Sequence, residues 1–293
     1  MRRIMLVLVC SCLLISGIHY ATQFLNKQFL GKDAVSGLDP NELEPSVDNY
    51  NRMVFADIDN AVTVAYYNSG YLYNENDDTG INKDIIDELA RRMGIDFDER
   101  VMPRARITSR IEEGSLPMSV STVITPKRER YSYFIPYFSQ RNHVLIHEGV
   151  GLSTQEELLE RTDLKVGIIR GYTYGENYDN LIEQLKKKRM IVEARDSDSL
   201  YKMLKDDWIQ VTFDMASSYL YYFDAFDIQD VSIVDWPEGE PLLRCITLSK
   251  RYFITENAER LKKIINEMKN DGTLFKIFSR YLPEDEAKRM CDF

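Results

Sequence analysis

From Ala61 onward the chain alternates short β-branched runs with helical segments of 3.6-residue periodicity, and the rhythm persists to Tyr281. Strands and helices in alternation dictate a mainly parallel sheet, because each strand must be regained through a helix packed on the sheet's face. The run AVTVAYY (61–67) opens the series as a strand. In the helix that follows, Ile85, Ile86, Leu89, Ala90 and Met93 share one face, with Asn82 expected as its cap and Gly94 as its stop. Strands are predicted at 96–102, 118–124 and 141–148, with a short helix over 106–114. The second half repeats the pattern. Ser153 and Glu156 have capping-box spacing. Strands are expected at 164–171, 189–194, 209–214 and 231–236, with helices over 172–188, 199–207 and 216–223 between them. A strand at 242–250 and helices over 257–270 and 273–281 close the series. Two helix-flanked sheets, each needing about 100 residues, fit the 293-residue length.

What precedes Ala61 differs in kind. Arg2 and Arg3 stand before an apolar run over 4–18 that ends near Ser16, Gly17 and Ala21. That run is shorter than the ~20 apolar residues of a membrane-crossing helix and matches a cleavable secretory signal over 1–21. The alternatives are an uncleaved anchor or lipid attachment at Cys12, which lies early in the run for a lipoprotein site. Residues 22–58 are polar and broken by Gly31, Gly37, Pro40 and Pro45, which marks a lead-in segment. Export to the periplasm follows from the signal. Cys245 and Cys291 then remain in an oxidising compartment, where a disulfide between them is expected; the other reading is one buried thiol and one free tail thiol.

Acids outnumber bases 47 to 37, a formal net charge of −10, which argues against a nucleic-acid partner. Three histidines and four cysteines with no zinc spacing imply no metal site. No phosphate-cradling glycine loop and no GxSxG elbow occurs, so no cofactor and no readable enzyme class is expected.

Four stretches carry a resemblance. PRARITSRIEEGSLPMSVSTVITPKRERYSYFIPYF (103–138) combines Pro-x-x-Arg before a helix, a stopping Gly, a strand, Thr-Pro-Lys-Arg and an aromatic-Pro-Tyr. LKVGIIRGYTYG (164–175), MKNDGTLFKIFSRYL (268–282) and GINKDIIDELARRMG (80–94) stand in matching order around it. Together they resemble the family 3 extracellular solute-binding proteins, the amino-acid-type receptors of bacterial ABC importers. The resemblance implies a two-lobed α/β clamshell with two crossover strands. Residues 59–145 and 243–293 would form the first lobe with a C-terminal tail, and 146–242 the second. The crossovers would fall near 143–147 and 241–245.

The resemblance also implies site residues. Arg128, after a Thr-Pro turn, would hold a ligand carboxylate through its planar fork, with Ser121, Thr122 and Thr125 as nearby hydroxyls. Arg130, in the same KRER run, is the lesser candidate. Thr173 follows Gly171 where a helix N-terminus favours an anion, or it simply caps that helix. Asp214 would neutralise a ligand amine or cap the next helix. Arg106 matches an arginine of related members, whereas Arg104 stands where an aromatic is usual and makes one wall of the cleft more cationic. Tyr67 and Tyr71 would cover the ligand's side chain. Pro117 and Val123 depart from the usual pattern, which weakens a standard amino acid as the solute. The expectation is a monomeric receptor that hands a small carboxylate-bearing solute to the membrane permease of an ABC importer. A sensory module for a membrane partner and a dehydratase-type enzyme on the same scaffold are the competing readings.

Overall fold

Alternation along β1 (Val62–Tyr66) sends Val62, Val64 and Tyr66 to one face of a sheet and Ala65, with the following Tyr67, to the other; all are buried. A strand buried on both faces belongs inside a helix-covered sheet. β1 lies there, parallel to β2 (Phe97–Val101) and β3 (Met118–Thr122). The computed structural model describes residues 61–237 and 239–293. The expected signal peptide (1–21) and lead-in segment (22–58) lie outside the described residues.

The first sheet has the order β2-β1-β3-β10-β4, with β4 at Ser132–Gln140 and β10 at Leu242–Ser249. The second has the order β7-β6-β8-β5-β9, built from β5 (His143–His147), β6 (Val166–Ile169), β7 (Ile191–Ala194), β8 (Val211–Asp214) and β9 (Val231–Val234). In each sheet four strands run one way and the fourth in order is reversed. β10 is antiparallel to β3 and β4, and β5 is antiparallel to β8 and β9. The reversed strands are those that arrive directly from the other sheet. The crossings therefore fall between β4 and β5 and between β9 and β10, slightly ahead of the expected 143–147 and 241–245. His143 and Leu145, assigned by the sequence to the first lobe, pair in the second sheet.

Helix α1 (Ile81–Met93) buries Ile85, Ile86, Leu89 and Met93 in the first-lobe core, together with Leu261 and Ile265 of α8 (Thr255–Asn270) and Phe278 of α9 (Thr273–Phe278). In between come α2 (Arg104–Glu112), α3 (Pro126–Glu129), α4 (Gln155–Glu160), α5 (Glu176–Lys187), α6 (Ser197–Lys205) and α7 (Ala216–Phe226); α10 (Glu284–Met290) is last. On the second sheet, α5 covers one face with Tyr178, Leu181 and Leu185, while Leu200 of α6 and Tyr222 of α7 cover the other.

Three local expectations are corrected. α1 is preceded by Gly80 at φ 141°, and the Asn82 side chain instead donates to Ser121 Oγ (3.1 Å) and accepts from the Tyr137 hydroxyl. The cap of α4 is Thr154, whose Oγ1 accepts the Glu157 N–H, one residue on from the expected Ser153. Cys245 and Cys291 are not bridged. Cys245 is locked inside the first sheet between Thr122 and Pro136, where burial pushes its thiol up to about 12, and Cys291 ends α10 against the apolar core.

Gly80 and Gly94 separate two costs of adding a methyl group. At Gly94 (φ 65°) a Cβ meets open space, so Gly94→Ala should cost about 1–2 kcal/mol from the left-handed backbone alone. At Gly80 a Cβ would lie 2.7 Å from the Leu72 carbonyl oxygen, so backbone must shift as well. Gly80→Ala should therefore cost roughly 3 kcal/mol or more in urea unfolding. Equal losses for the two variants would contradict this packing.

Candidate functional site

The carboxyl ends of the forward strands of both sheets open into one space, where α/β sheets bind ligands. Tyr67 and Asn68 follow β1, Met102 and Arg104 follow β2, Tyr172 follows β6, and Arg195 and Ser197 follow β7. Together with Glu75 and Asp196 they line a cavity of about 230 Å³ between the lobes.

Arg104 faces inward because of helix phase. Arg104, Ile107, Thr108 and Ile111 recur on one face of α2 and line a hollow inside the first lobe, next to the cavity. Its side chain is 5% exposed, its guanidinium lies 5.0 Å above the Tyr67 ring, and Nη1 donates to the Val120 carbonyl at 3.4 Å. Arg106, two positions on, falls on the outer face and is exposed. The cationic wall noted in the sequence is therefore Arg104, and Arg106 takes no part in lining the cavity.

Arg128 sits on the single turn of α3, whose N-cap is Thr125; Thr125 Oγ1 accepts the Arg128 N–H at 3.3 Å. Its Nη1 donates to the Val123 carbonyl at 2.9 Å, and the residue is 9% exposed. It lines the same inner hollow as Arg104 and Thr122. Burial, reinforced by the Arg104 charge, lowers the guanidinium to about 10. Arg130 is exposed. Among the described residues neither Arg104 nor Arg128 forms an ion pair. Asp179 of α5 is a second-lobe acid whose charge acts on Arg128. Burial raises the Asp179 carboxyl, against the hydrogen bond it accepts from the Tyr174 N–H.

The other expected residues divide. Tyr67 is in the cavity wall, whereas Tyr71 packs edge-on against Tyr221 at 5.4 Å. Ser121 is consumed by Asn82 and Tyr137. Thr173 is half-buried in the turn before Gly175, and Gly175 rather than Thr173 precedes α5. Asp214 is 1% exposed; it accepts from the Tyr201 hydroxyl and from the Met215 N–H, both at 2.8 Å. Burial raises its carboxyl despite those bonds. Neither Thr173 nor Asp214 lines the cavity. Tyr172, Ser197 and Arg244 were not anticipated. Arg244 of β10 is buried, and its charge acts on Asp179 and Asp214. Among the described residues no cluster of three or more His, Cys, Asp or Glu could hold a metal ion, and no helix is long and apolar enough to cross a membrane.

The lobes touch around the cavity. The Tyr172 hydroxyl lies 3.2 Å from Ser69 Oγ, and its ring packs edge-on against Tyr67 at 5.6 Å. Asn68 donates to Asp198 (3.0 Å), Asn74 to the Tyr221 hydroxyl (2.9 Å), and Ser217 to Gln140 (2.6 Å). Gly171 comes so close that a Cβ there would lie 2.8 Å from Ala105 Cα.

A cavity between two sheets at their carboxyl ends, reached by strands that cross twice, defines a two-lobed α/β binding protein. Residues 58–284 match the model of the bacterial extracellular solute-binding proteins, family 3, and the chain belongs to that family. It is 23% identical over 211 residues to the L-cystine-binding protein TcyA of Bacillus subtilis (strain 168), covering 72% of this chain and 75% of that one. An ancestral arginine-binding protein bound to arginine superposes with a TM-score of 0.65 at 20% identity, over 76% of this chain and 98% of that chain. The VFT2 domain of BvgS from Bordetella pertussis does so with a TM-score of 0.62 at 18% identity, over 80% and 97%. These likenesses establish the shared fold.

Because Gly171 sets how closely the lobes approach, Gly171→Val should hold them apart while each lobe stays folded. Small-angle scattering should show a larger radius of gyration with an unchanged circular dichroism spectrum. An unchanged radius would mean that this contact does not limit closure.

Proposed function

We propose that the protein is a periplasmic receptor that captures a small polar, carboxylate-bearing, amino-acid-like solute between its lobes and delivers it to the membrane permease of an ABC importer. The observation that carries the reading is Arg128, a buried guanidinium without an ion-pair partner among the described residues, beside the interlobe cavity. Its fork suits a carboxylate, with Thr122 alongside and Thr125 holding its turn. The names of the relatives support the solute class, since TcyA is an L-cystine-binding protein. Export through the signal over 1–21 and action as a monomer belong to the same reading.

Binding is favoured over catalysis by the state of Asp214, whose oxygens are engaged by Tyr201 and the Met215 N–H. A general acid or base would need a carboxyl within reach of the bound molecule. The likeness to a histidine kinase sensor domain similar to periplasmic binding proteins favours sensing as the second reading, in which the closed form is presented to a membrane signalling partner.

The first test is the identity of any co-purified solute by mass spectrometry. That solute should raise the melting temperature by mass action and be recovered chemically unaltered. Arg128→Ala should weaken its binding by ~2–5 kcal/mol in calorimetry, and Arg128→Lys should restore little, because an ammonium lacks the planar fork. Full affinity in Arg128→Ala would remove the assignment, and recovery of altered solute would replace the receptor with an enzyme. Loss of uptake on deleting the cognate permease separates transport from sensing.

A further inference from the structure

We propose that the solute carries a second anionic group beside the carboxylate assigned to Arg128, and that Arg104 is the residue that selects it. The inference rests on the solute-binding reading above and deepens it. It starts from an unusual wall: two guanidinium groups, 5% and 9% exposed, share one hollow of the first lobe. Each directs an N–H to a backbone carbonyl, Arg104 to Val120 and Arg128 to Val123, and most of the five donors of each remain for a ligand. Neither is neutralised by an ion pair among the described residues. The Tyr67 ring orients Arg104 from one side but supplies no net charge.

Like charges placed together away from water repel each other and lose hydration, so such a wall is stable only with anions against it. One carboxylate compensates one guanidinium and leaves the other exposed to the same penalty. Two negative charges neutralise the wall. Asp179 acts on Arg128 through its charge but forms no ion pair with either arginine, and its carboxyl is turned to the Tyr174 N–H, so the guanidinium donors stay open to a ligand. Geometry assigns the second group to Arg104, which lines both the inner hollow with Arg128 and the interlobe cavity of about 230 Å³. A compact diacid in the cavity would set one group against Arg104 and direct the other toward the hollow that Arg104 shares with Arg128.

The test uses pairs that differ by one negative charge at nearly constant shape: L-glutamate against L-glutamine, L-aspartate against L-asparagine, and succinate against succinamate. Calorimetry on the purified protein should show at least one diacid binding about tenfold or more tighter than its amide. Arg104→Gln should abolish that preference, so that diacid and amide bind within about twofold of each other, and Arg104→Lys should retain part of it. Circular dichroism establishes that each variant is folded, and the Lys variant keeps the test decisive if the Gln variant is not. Amides binding as well as diacids, or a preference that survives in Arg104→Gln, would overturn the inference and leave Arg128 as a carboxylate anchor. Absence of binding by every diacid and every amide would overturn it together with the carboxylate-solute reading.

Discussion

The first sheet of this protein cannot be completed by one contiguous stretch of chain, because its fourth strand in order, β10, comes after the whole of the second sheet. β10 enters the first sheet between β3 and β4 only after the chain has built the second, and β5 enters the second directly from the end of β4. Eight residues of β10 pair with β4, so the first-lobe core closes around a strand delivered from the far side of the molecule. This exchange holds the lobes together through two short connections and aims the carboxyl ends of the forward strands of both sheets at one another. The position of the cavity follows from it. Gln140, the last residue of β4, binds Ser217 of the second lobe and Glu286 of α10, tying the crossing to the C-terminal helix.

Electrostatics sets the character of the space so formed. Removing an ion from water costs several kcal/mol even after relaxation. A hydrogen bond to a charged group returns about 1.5–3 kcal/mol, and a cation–π contact away from water about 2 kcal/mol. For Arg104 the compensation is the Val120 carbonyl at a long 3.4 Å and the Tyr67 ring; for Arg128 it is the Val123 carbonyl. These magnitudes do not balance for two adjacent cations, so the first-lobe wall is left with an affinity for anions. Asp214 shows the opposite treatment. Its oxygens are matched by Tyr201 and the Met215 N–H within the second lobe, which makes it a structural acid.

The fold was legible because its signals are local. Period-two runs, the phase of α1 and the stop at Gly94 need only a few neighbouring residues, and the Thr125 cap that holds Arg128 lies three positions away. Naming Arg106 beside Arg104 was a misreading of legible information, since the spacing of Arg104, Ile107, Thr108 and Ile111 places Arg104 on the inner face of α2 and leaves Arg106 outside. Asp214 was a different failure. Its partner Tyr201 is on another helix, and no local pattern announces that contact. Thr173 failed for a third reason: it lies between Gly171 and Gly175, both at positive φ, where the backbone gives no period to extrapolate, and Tyr172 is the residue turned to the first lobe. The disulfide was inferred from compartment, count and a shared lobe, none of which fixes the distance between two thiols.

Closure and charge are linked through the same residues. The lobes are joined by a few polar contacts, Ser69 with Tyr172, Asn68 with Asp198, and Asn74 with Tyr221, each contributing about 0.5–1.5 kcal/mol net. Against them, closing the second lobe over Arg104 and Arg128 strips water from two like charges, a term of similar or greater size. The two contributions oppose each other in the equilibrium between open and closed forms. A ligand shifts such an equilibrium only by its differential affinity for the two states. An anion at the arginine wall gains most when the lobes shut, because the charges it neutralises are then the ones deprived of water. The unpaired arginines thus make closure depend on the chemistry of what is bound, while the polar contacts set how little that solute must contribute.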